Sequence, residues 1–128
     1  MSILKQNFNE NQFESIREMV SKKEGFVMLQ GPPGTGKTST LMGVLAAQYE
    51  LSRKIADNKI MICAPSNAAV DHIVKRIVNE GIFSGDGTKI KPKILRVGIV
   101  ESQDPDVRSC YLSDLCERQM LGNTVAEI

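Results

Sequence analysis

The chain has 128 residues, the length of one ordinary domain, and a formal net charge of +1, so any binding of a polyanion must come from local geometry. Hydrophobic residues make up 41% and charged residues 24%, which is typical of a globular domain and argues against gross disorder. The three cysteines have no CxxC spacing, and no apolar stretch is long enough to span a membrane. We therefore expect a reduced intracellular protein, nuclear or cytoplasmic, with no membrane partner.

The first half of the chain predicts a helix, a strand and a second helix. The stretch "NENQFESIREMVSKK" has apolar residues at helical spacing, and Asn9 with Gln12 is typical of a capping box. The stretch "FVMLQ", residues 26–30, is too short and too continuous for an amphipathic helix and predicts a buried strand. From Lys37 the apolar positions predict a long helix that ends near residues 57–58.

The second half of the chain also alternates between predicted strands and helices. The stretch "KIMICA", residues 59–64, predicts a second buried strand. An apolar stripe then predicts a helix that stops at Gly81, with Asp71 and Lys75 paired on its solvated side. A turn-rich connection is predicted over residues 84–92 and a third strand over residues 93–100. A last helix is predicted over residues 113–121.

Strands that alternate with helices predict an α/β fold, with a parallel sheet and helices on both of its faces. In such sheets ligands lie beyond the carboxyl ends of the strands. The two richest motifs of the chain follow the first and the second predicted strand. We therefore expect both motifs at the same edge of the sheet.

A glycine-rich loop follows the first predicted strand. Residues 31–38, "GPPGTGKT", match GxxxxGK[ST] in full, and such a loop points backbone N–H groups at anionic oxygens. In this pattern Lys37 reaches the β- and γ-phosphates, the Thr38 hydroxyl is a ligand of Mg²⁺, and Ser39 contacts the α-phosphate. The alternative is an ordinary turn with an incidental lysine, but the flanking strand and helix favour a nucleoside triphosphate site.

Two further positions each have a functional and a structural interpretation. Gln12 can pair with N7 and N6 of adenine through its amide, or it can simply close the helix cap with Asn9. Pro65, Ser66 and Asn67, at the end of the second predicted strand, suit a phosphate or a sugar. The same residues would serve equally well as an ordinary helix cap.

The stretches "FNENQ", "LQGPPGTGKTST" and "MICAPSNAAVD", in this order and spacing, resemble superfamily 1 helicases of the nonsense-decay-helicase and senataxin type, and "ILRVG" strengthens the likeness. The resemblance covers roughly residues 8 to 100. It implies a RecA-like P-loop fold and ATP-driven 5′-to-3′ translocation on single-stranded RNA or DNA. It also implies that Gln12 reads adenine and that Pro65, Ser66 and Asn67 contact the nucleic-acid strand. The phosphate-binding positions that it implies are Gly34, Thr35, Gly36, Lys37, Thr38 and Ser39, with ATP and Mg²⁺ as cofactors.

The sequence lacks some of the motifs that this family uses for hydrolysis and translocation. Hydrolysis requires a carboxylate on Mg²⁺, which the family takes from an apolar strand that ends in Asp-Glu, and no such run is present. Motifs of a second motor lobe are absent too. We therefore expect residues 1–128 to be an incomplete first RecA-like motor domain that binds ATP without turnover. We also expect an exposed apolar sheet edge that favours self-association.

Several alternatives remain open from the sequence. The chain is either the nucleotide-binding segment of a helicase motor or a truncated, non-catalytic module that binds a nucleotide or a partner. A small P-loop kinase is a third possibility, but no acceptor site or lid is recognisable. His72, which stands where the family often has an acidic or amide residue, is interpreted as a solvated helix residue. Lysines and arginines interpreted as solvated, surface or fold charges are Lys89, Lys91, Lys93, Arg96, Arg108 and Arg118, although the three lysines also suit a nucleic-acid path.

Overall fold

The computed structural model of the chain describes residues 8–53, 55, 59–84, 87–99 and 102–126, with side chains up to residue 120. The chain forms two compact units, one from Met1–Met61 with Ile82–Ile90 and the other from Ile62–Gly81 with Lys91–Ile128. The described helices are α1 (Glu10–Ser21), α2 (Lys37–Ser52), α3 (Asn67–Glu80), α4 (Pro105–Arg108) and α5 (Leu112–Ala126), and the strands are β1 (Ile82–Phe83) and β2 (Lys89–Ile90).

In the first unit, α1 packs against α2 around one fully buried isoleucine. Ile16 lies on the predicted apolar face of α1 and is fully buried, which stabilises the unit by about 1.5–3 kcal/mol. It faces Gly43 of α2, where a Cβ would overlap with the Ile16 Cδ1 atom and lie 3.0 Å from Cζ of Phe8. Glycine at this position therefore lets the two helices approach closely.

A short antiparallel hairpin completes the first unit. Ile82 pairs with Ile90 and Phe83 pairs with Lys89, and the Ser84 N–H donates to the Thr88 carbonyl over 2.7 Å. The hairpin is tied to α2 because the Ser84 hydroxyl donates to Oε1 of Glu50 over 2.5 Å. Strand β2 lies inside residues 84–92, for which the sequence predicts only a turn-rich connection, and β1 directly precedes that stretch.

The second unit is built around α3. This helix ends at Gly81, whose φ of +72° requires glycine, so the predicted stop is confirmed. Its buried face packs on the segment that contains α4 and the start of α5. The core consists of Val74, Val107, Cys110 and Tyr111, with Val70, Val78 and Ile94 packed against it. Arg96 forms an isolated parallel bridge with Tyr111, through bonds of 2.7 and 2.9 Å to the Cys110 carbonyl and the Leu112 N–H.

The predicted parallel sheet is not confirmed in the part of the chain that the structure describes. Residues 26–30 and 59–64 form no strand, and among the described residues of the third predicted strand only Arg96 pairs. The side chains of Phe26 and Met28 are each 93% exposed rather than buried. An apolar run becomes a strand only where a neighbouring backbone supplies the matching donors and acceptors, and the apolar pattern itself carries no information about that neighbour.

The helix predictions are confirmed more fully. α1, α3 and α5 occupy the predicted stretches, and α2 begins at Lys37 as expected. The predicted end of α2 near residues 57–58 lies outside the described residues, and the helix ends at Ser52. None of the helices in the described ranges is long and apolar enough to cross a bilayer.

Candidate functional site

The glycine-rich loop of the first unit leads into α2 through a left-handed glycine. Gly36 is the N-cap of α2 with φ +81° and ψ 25°, and it provides no side-chain cap. Gly34 also has a positive φ, +79°. The first N–H groups of a helix have no partner within the helix, and the positive end of the helix dipole lies at the same place. This loop therefore directs uncapped donors and a partial positive charge at one point, as an anion site requires.

Lys37 folds back over the loop. Its Nζ donates to the carbonyl oxygens of Gly31 and Pro32 over 2.6 and 2.8 Å. The Thr35 hydroxyl donates to the same Pro32 carbonyl over 2.7 Å. A charged ammonium is thus held at the loop by neutral acceptors. Anionic phosphate oxygens attract the same ammonium more strongly than these carbonyls, because the attraction between full opposite charges adds to the hydrogen bond.

Thr38 and Ser39 occupy the first turn of α2. The Thr38 side chain is exposed and the Ser39 side chain is half-buried. The donor set at this helix start therefore combines an ammonium, backbone N–H groups and a hydroxyl of the kind that binds Mg²⁺ in phosphate loops. These groups fit a magnesium-bound polyphosphate. Within the described residues no cluster of histidine, cysteine, aspartate and glutamate could hold a metal by itself.

Gln12 serves the helix cap and also lies at the loop. The N–H of Gln12 donates to Oδ1 of Asn9 over 2.9 Å, and the Asn9 N–H donates to Oε1 of Gln12 over 3.2 Å. This is the complete capping box that the sequence indicates. The Nε2 atom of the same side chain lies so close to Gly36 that a Cβ there would overlap with it. The cap interpretation therefore holds, and the cap itself brings the Gln12 amide against the phosphate loop.

The second predicted motif forms the start of α3. Ser66 is the N-cap, and its Oγ accepts from the Ala69 N–H over 3.2 Å, so the cap interpretation of this residue holds as well. Pro65 and Ser66 are exposed and Asn67 is half-buried. The three residues are adjacent at one helix start of the second unit, while the phosphate-loop residues belong to the first unit.

Asn67 is attached to a buried ionic network. Its Oδ1 accepts from Nη2 of Arg96 over 3.1 Å, and Nε of Arg96 donates to Oδ1 of Asp71 over 2.8 Å. The Tyr111 hydroxyl lies 3.0 and 2.9 Å from the two carboxylate oxygens of Asp71, to which it donates. Arg96, Asp71 and Tyr111 are only 4%, 8% and 1% exposed. The motif is therefore fixed to the core of the second unit through side chains.

This network corrects the predicted pairing of Asp71. The sequence predicts that Asp71 pairs with Lys75 on the solvated side of α3, but Asp71 faces the core and Lys75 binds Asp104 instead, over 2.6 Å. The hydrogen bond with Asp104 raises the pKa of Lys75, and the bond from Lys75 lowers the pKa of Asp104. Four-residue spacing allowed the wrong pair because it gives neighbouring positions on a helix without saying which face is buried.

The sequence did contain a signal for the network. Asp71 lies three residues before Val74 and seven before Val78, so it shares a helix face with apolar residues of the core. Arg96 likewise interrupts an apolar run, between Leu95 and Val97. A single charge within each of two apolar patterns indicates a buried pair, since buried charges are almost always paired.

The remaining candidates are simpler. His72 is exposed, as expected for a solvated helix residue. Lys91 and Lys93 are exposed, and Nζ of Lys89 lies 5.4 Å from the ring centre of Phe83, at the distance of a cation–π contact. Cys110 is buried in the core, and Cys63 and Cys116 are exposed free thiols.

A phosphate loop that runs into an uncapped helix defines the class of P-loop nucleoside triphosphatases. The chain belongs to the family described as "AAA domain", which matches residues 7–128, and it is a superfamily 1 helicase sequence of the nonsense-decay and senataxin type. The predicted family is thereby confirmed.

Named relatives agree with this assignment. The chain is 37% identical to Helicase SEN1 of Saccharomyces cerevisiae over 134 residues, which cover 88% of this chain and 6% of that protein. It is 38% identical over 120 residues to the Regulator of nonsense transcripts 1 homolog of Neurospora crassa, covering 94% of this chain and 9% of that protein. It is 35% identical over 91 residues to Probable helicase senataxin of Homo sapiens, covering 58% and 3%. The chain thus spans less than a tenth of the length of each of these relatives.

Proposed function

We propose that this chain is the ATP-binding segment of an ATP-dependent 5′-to-3′ RNA or DNA helicase motor. The observation that carries the proposal is the arrangement at Gly36, where an uncapped helix start, the Lys37 ammonium and the Gln12 amide converge. A glycine-rich turn that binds no ligand would not require an uncapped helix start, an ammonium and an amide at the same point. The helicase names of the relatives support the same function.

The residues of the first unit have separate roles in this proposal. Gly34, Thr35 and Gly36 shape the loop around the phosphates, Lys37 neutralises the β- and γ-phosphates, and the hydroxyl of Thr38 binds Mg²⁺. Ser39 contacts the α-phosphate. The bound Mg²⁺ supplies charge neutralisation at the transferred phosphoryl group.

Gln12 selects adenine in the same proposal. Its Oε1 accepts from the Asn9 N–H, which fixes the orientation of the amide and directs Nε2 to the loop side. An amide donor in a fixed orientation suits the N7 acceptor of a purine, and the second lone pair of Oε1 suits the N6 amine of adenine.

The turn of Pro65, Ser66 and Asn67 contacts single-stranded RNA or DNA in this proposal. The three residues present a rigid turn, a hydroxyl and an amide at the start of α3. Such groups bind the phosphates and sugars of a strand.

The central test is the affinity for a fluorescent ATP analogue in the presence of Mg²⁺. We expect the Lys37→Ala variant to bind roughly 10- to 100-fold more weakly than the wild type, the range expected for one lost charge-assisted contact. The Lys23→Ala variant, which removes an exposed lysine outside the loop, is the matched control and should bind as the wild type does. Equal affinity of the Lys37→Ala variant and the wild type would overturn the proposal.

The wild-type chain used for the binding titration also serves to test ATP hydrolysis. The sequence contains no Asp-Glu pair, so the carboxylate that activates hydrolysis in the family is not provided. We expect no release of phosphate above background, with or without single-stranded oligonucleotide. Turnover that a single strand stimulates would contradict the expectation of binding without hydrolysis.

A partner-binding role is the second candidate, and exposed apolar side chains favour it. Phe26 and Met28 in the first unit, and Leu95, Val97 and Ile99 in the second, are 57% to 93% exposed. Alternating apolar residues in extended segments favour pairing with another strand. We propose that the chain self-associates through these segments, and sedimentation velocity should show oligomers that increase with concentration. A single monomeric species across that concentration range would contradict it.

A further inference from the structure

The phosphate loop is bound to itself through the carbonyl group of Pro32. This oxygen accepts from Nζ of Lys37 over 2.8 Å and from the hydroxyl of Thr35 over 2.7 Å. A carbonyl oxygen has two lone pairs, so it can accept from both donors at once. Thr35 is therefore bound to the same oxygen that holds the Lys37 ammonium.

The residues on either side restrict the direction of the Pro32 carbonyl. The pyrrolidine ring fixes φ of Pro32, and the following Pro33 limits ψ of Pro32 to extended values. Pro33 and Gly34 then form a turn, in which Gly34 has a φ of +79°. Proline at the second position and a left-handed glycine at the third are typical of a type II turn, whose first and fourth residues are here Pro32 and Thr35. This turn brings the Thr35 hydroxyl back to the Pro32 carbonyl.

Gly31 shows independently that the Thr35 hydroxyl has a defined place in the loop. A Cβ at Gly31 would lie 2.8 Å from Oγ1 of Thr35 and 3.7 Å from Cγ of Lys37. The first of these distances is too short for a real Cβ contact, so an alanine at this position would displace the hydroxyl. The carbonyl of Gly31 is also the second acceptor of the Lys37 ammonium, over 2.6 Å. Glycine at position 31 therefore leaves room for the hydroxyl while its carbonyl binds the lysine.

The Lys37 side chain depends on such hydrogen bonds for its position. A lysine ammonium is a compact charge on a flexible stem of four carbons. Lys37 is exposed, so packing in a core does not restrict its stem. Its two carbonyl acceptors are what hold the ammonium over the loop. A group that fixes one of these acceptors therefore also restricts the position of the charge.

We propose that Thr35 is a positioning residue for Lys37: its hydroxyl fixes the Pro32 carbonyl, and that carbonyl holds the ammonium where a polyphosphate binds. A charge whose position is already fixed loses less conformational freedom on binding, so it contributes more to affinity. The inference rests on the proposed role of Lys37 at the β- and γ-phosphates. Thr35 acts through Pro32 and Lys37, and the role of its hydroxyl requires no contact with the ligand.

The experiment measures the affinity of the 128-residue chain for the fluorescent ATP analogue with Mg²⁺, and for inorganic tripolyphosphate as its competitor. We expect Thr35→Val to weaken binding of both ligands roughly two- to fivefold, the lower part of the range for one neutral hydrogen bond, because this bond is exposed. Valine keeps the β-branched shape of threonine and replaces the hydroxyl with a methyl group. Thr35→Ser keeps the hydroxyl and should bind both ligands as the wild type does.

A double variant shows whether Thr35 acts through the lysine. The Lys37→Ala chain has no ammonium for the Pro32 carbonyl to hold, so adding Thr35→Val to it should weaken binding by less than about twofold, whereas independent effects would multiply. Ser109→Ala is the matched control, because the Ser109 hydroxyl also donates over 2.7 Å to the carbonyl three residues before it, but in the second unit. Its affinity for the analogue should equal that of the wild type. Circular dichroism shows whether each variant is folded.

The outcomes separate the positioning role from the proposed nucleotide site. If Lys37→Ala binds as the wild type does, the site itself fails and the inference fails with it. If Lys37→Ala binds more weakly but a folded Thr35→Val does not, the site stands and the positioning role is overturned. The role is also overturned if Thr35→Val has the same effect in both backgrounds, or if Thr35→Ser binds as weakly as Thr35→Val. Should Thr35→Val not fold, Gly31→Ala, which displaces the hydroxyl, takes its place. If neither variant folds, Thr35 has a structural role alone and the inference is wrong.

Discussion

The two helix starts that carry the candidate motifs are built in opposite ways. At the start of α2 the N-cap is Gly36, which offers no side chain to the first N–H groups. At the start of α3 the N-cap is Ser66, whose Oγ already accepts from the Ala69 N–H. A side-chain cap occupies one of the first N–H groups of a helix, so the start of α3 has one backbone donor fewer for an anion than an uncapped start has. We therefore expect the proposed nucleotide site and the proposed strand site to use their helix starts in different ways.

The two starts also differ in what maintains their shape. The loop before α2 takes its form from the backbone, with Gly34 and Gly36 in left-handed conformations and Lys37 bound to loop carbonyls. The turn before α3 takes its form from a buried side chain, because Arg96 binds Asn67 from the core. Substitutions that change the backbone conformation should therefore disturb the start of α2 most. Substitutions that remove a side-chain contact should disturb the start of α3 most.

The largest expected effect comes from adding a methyl group at Gly36. The Gly36→Ala variant combines an unfavourable φ with overlap against Nε2 of Gln12, so we expect a loss of more than about 2 kcal/mol in the free energy of unfolding. Affinity for the ATP analogue should fall with it, because the Gln12 amide is displaced. Urea unfolding and titration with the analogue measure the two effects.

Gly34→Ala is the matched control for that variant. Gly34 has nearly the same φ, +79°, but nothing lies within 4 Å of a Cβ built there. Its cost should be that of backbone strain alone, about 1–2 kcal/mol. Equal losses of stability and affinity in the two variants would show that the contact between Gln12 and Gly36 has no energetic importance.

The comparison also shows what the sequence can and cannot predict. The phosphate loop, the capping box at Asn9 and the stop at Gly81 were predictable because each depends on residues a few positions apart. The partner of Asp71 was not predicted, because Arg96 lies 25 residues further along the chain. The predicted parallel sheet depends on the same kind of distant partner and is not confirmed. Motifs formed by residues close together in the chain can be predicted from the sequence. Contacts between residues far apart in the chain are much harder to predict.

Removing the side-chain cap of α3 should lower the stability of the fold by a smaller amount and leave nucleotide affinity unchanged. The Ser66→Ala variant loses the acceptor for the Ala69 N–H, so we expect the free energy of unfolding to fall by about 1 kcal/mol. Its affinity for the ATP analogue should remain at the wild-type value, because that site uses the start of α2. A Ser66→Asp variant, which keeps a capping oxygen, is the control and should retain the stability. A loss of nucleotide affinity in Ser66→Ala would contradict the division of roles between the two helix starts.

The smallest expected effect concerns the exposed ion pair of α3, which contrasts with the buried pair of Arg96 and Asp71. Because the bond from Lys75 lowers the pKa of Asp104 below its ordinary value of 3.8, the pair stabilises the fold above that value. This contribution is lost as the pH falls through the lowered pKa. The pKa of Lys75 is raised above 10.5, so the alkaline loss occurs only as the pH rises through that raised value. Urea unfolding of wild type and Asp104→Asn between about pH 5 and pH 2 should show a slightly steeper acid loss in the wild type. Identical pH profiles of the two proteins would mean that the exposed pair contributes nothing to the stability of the fold.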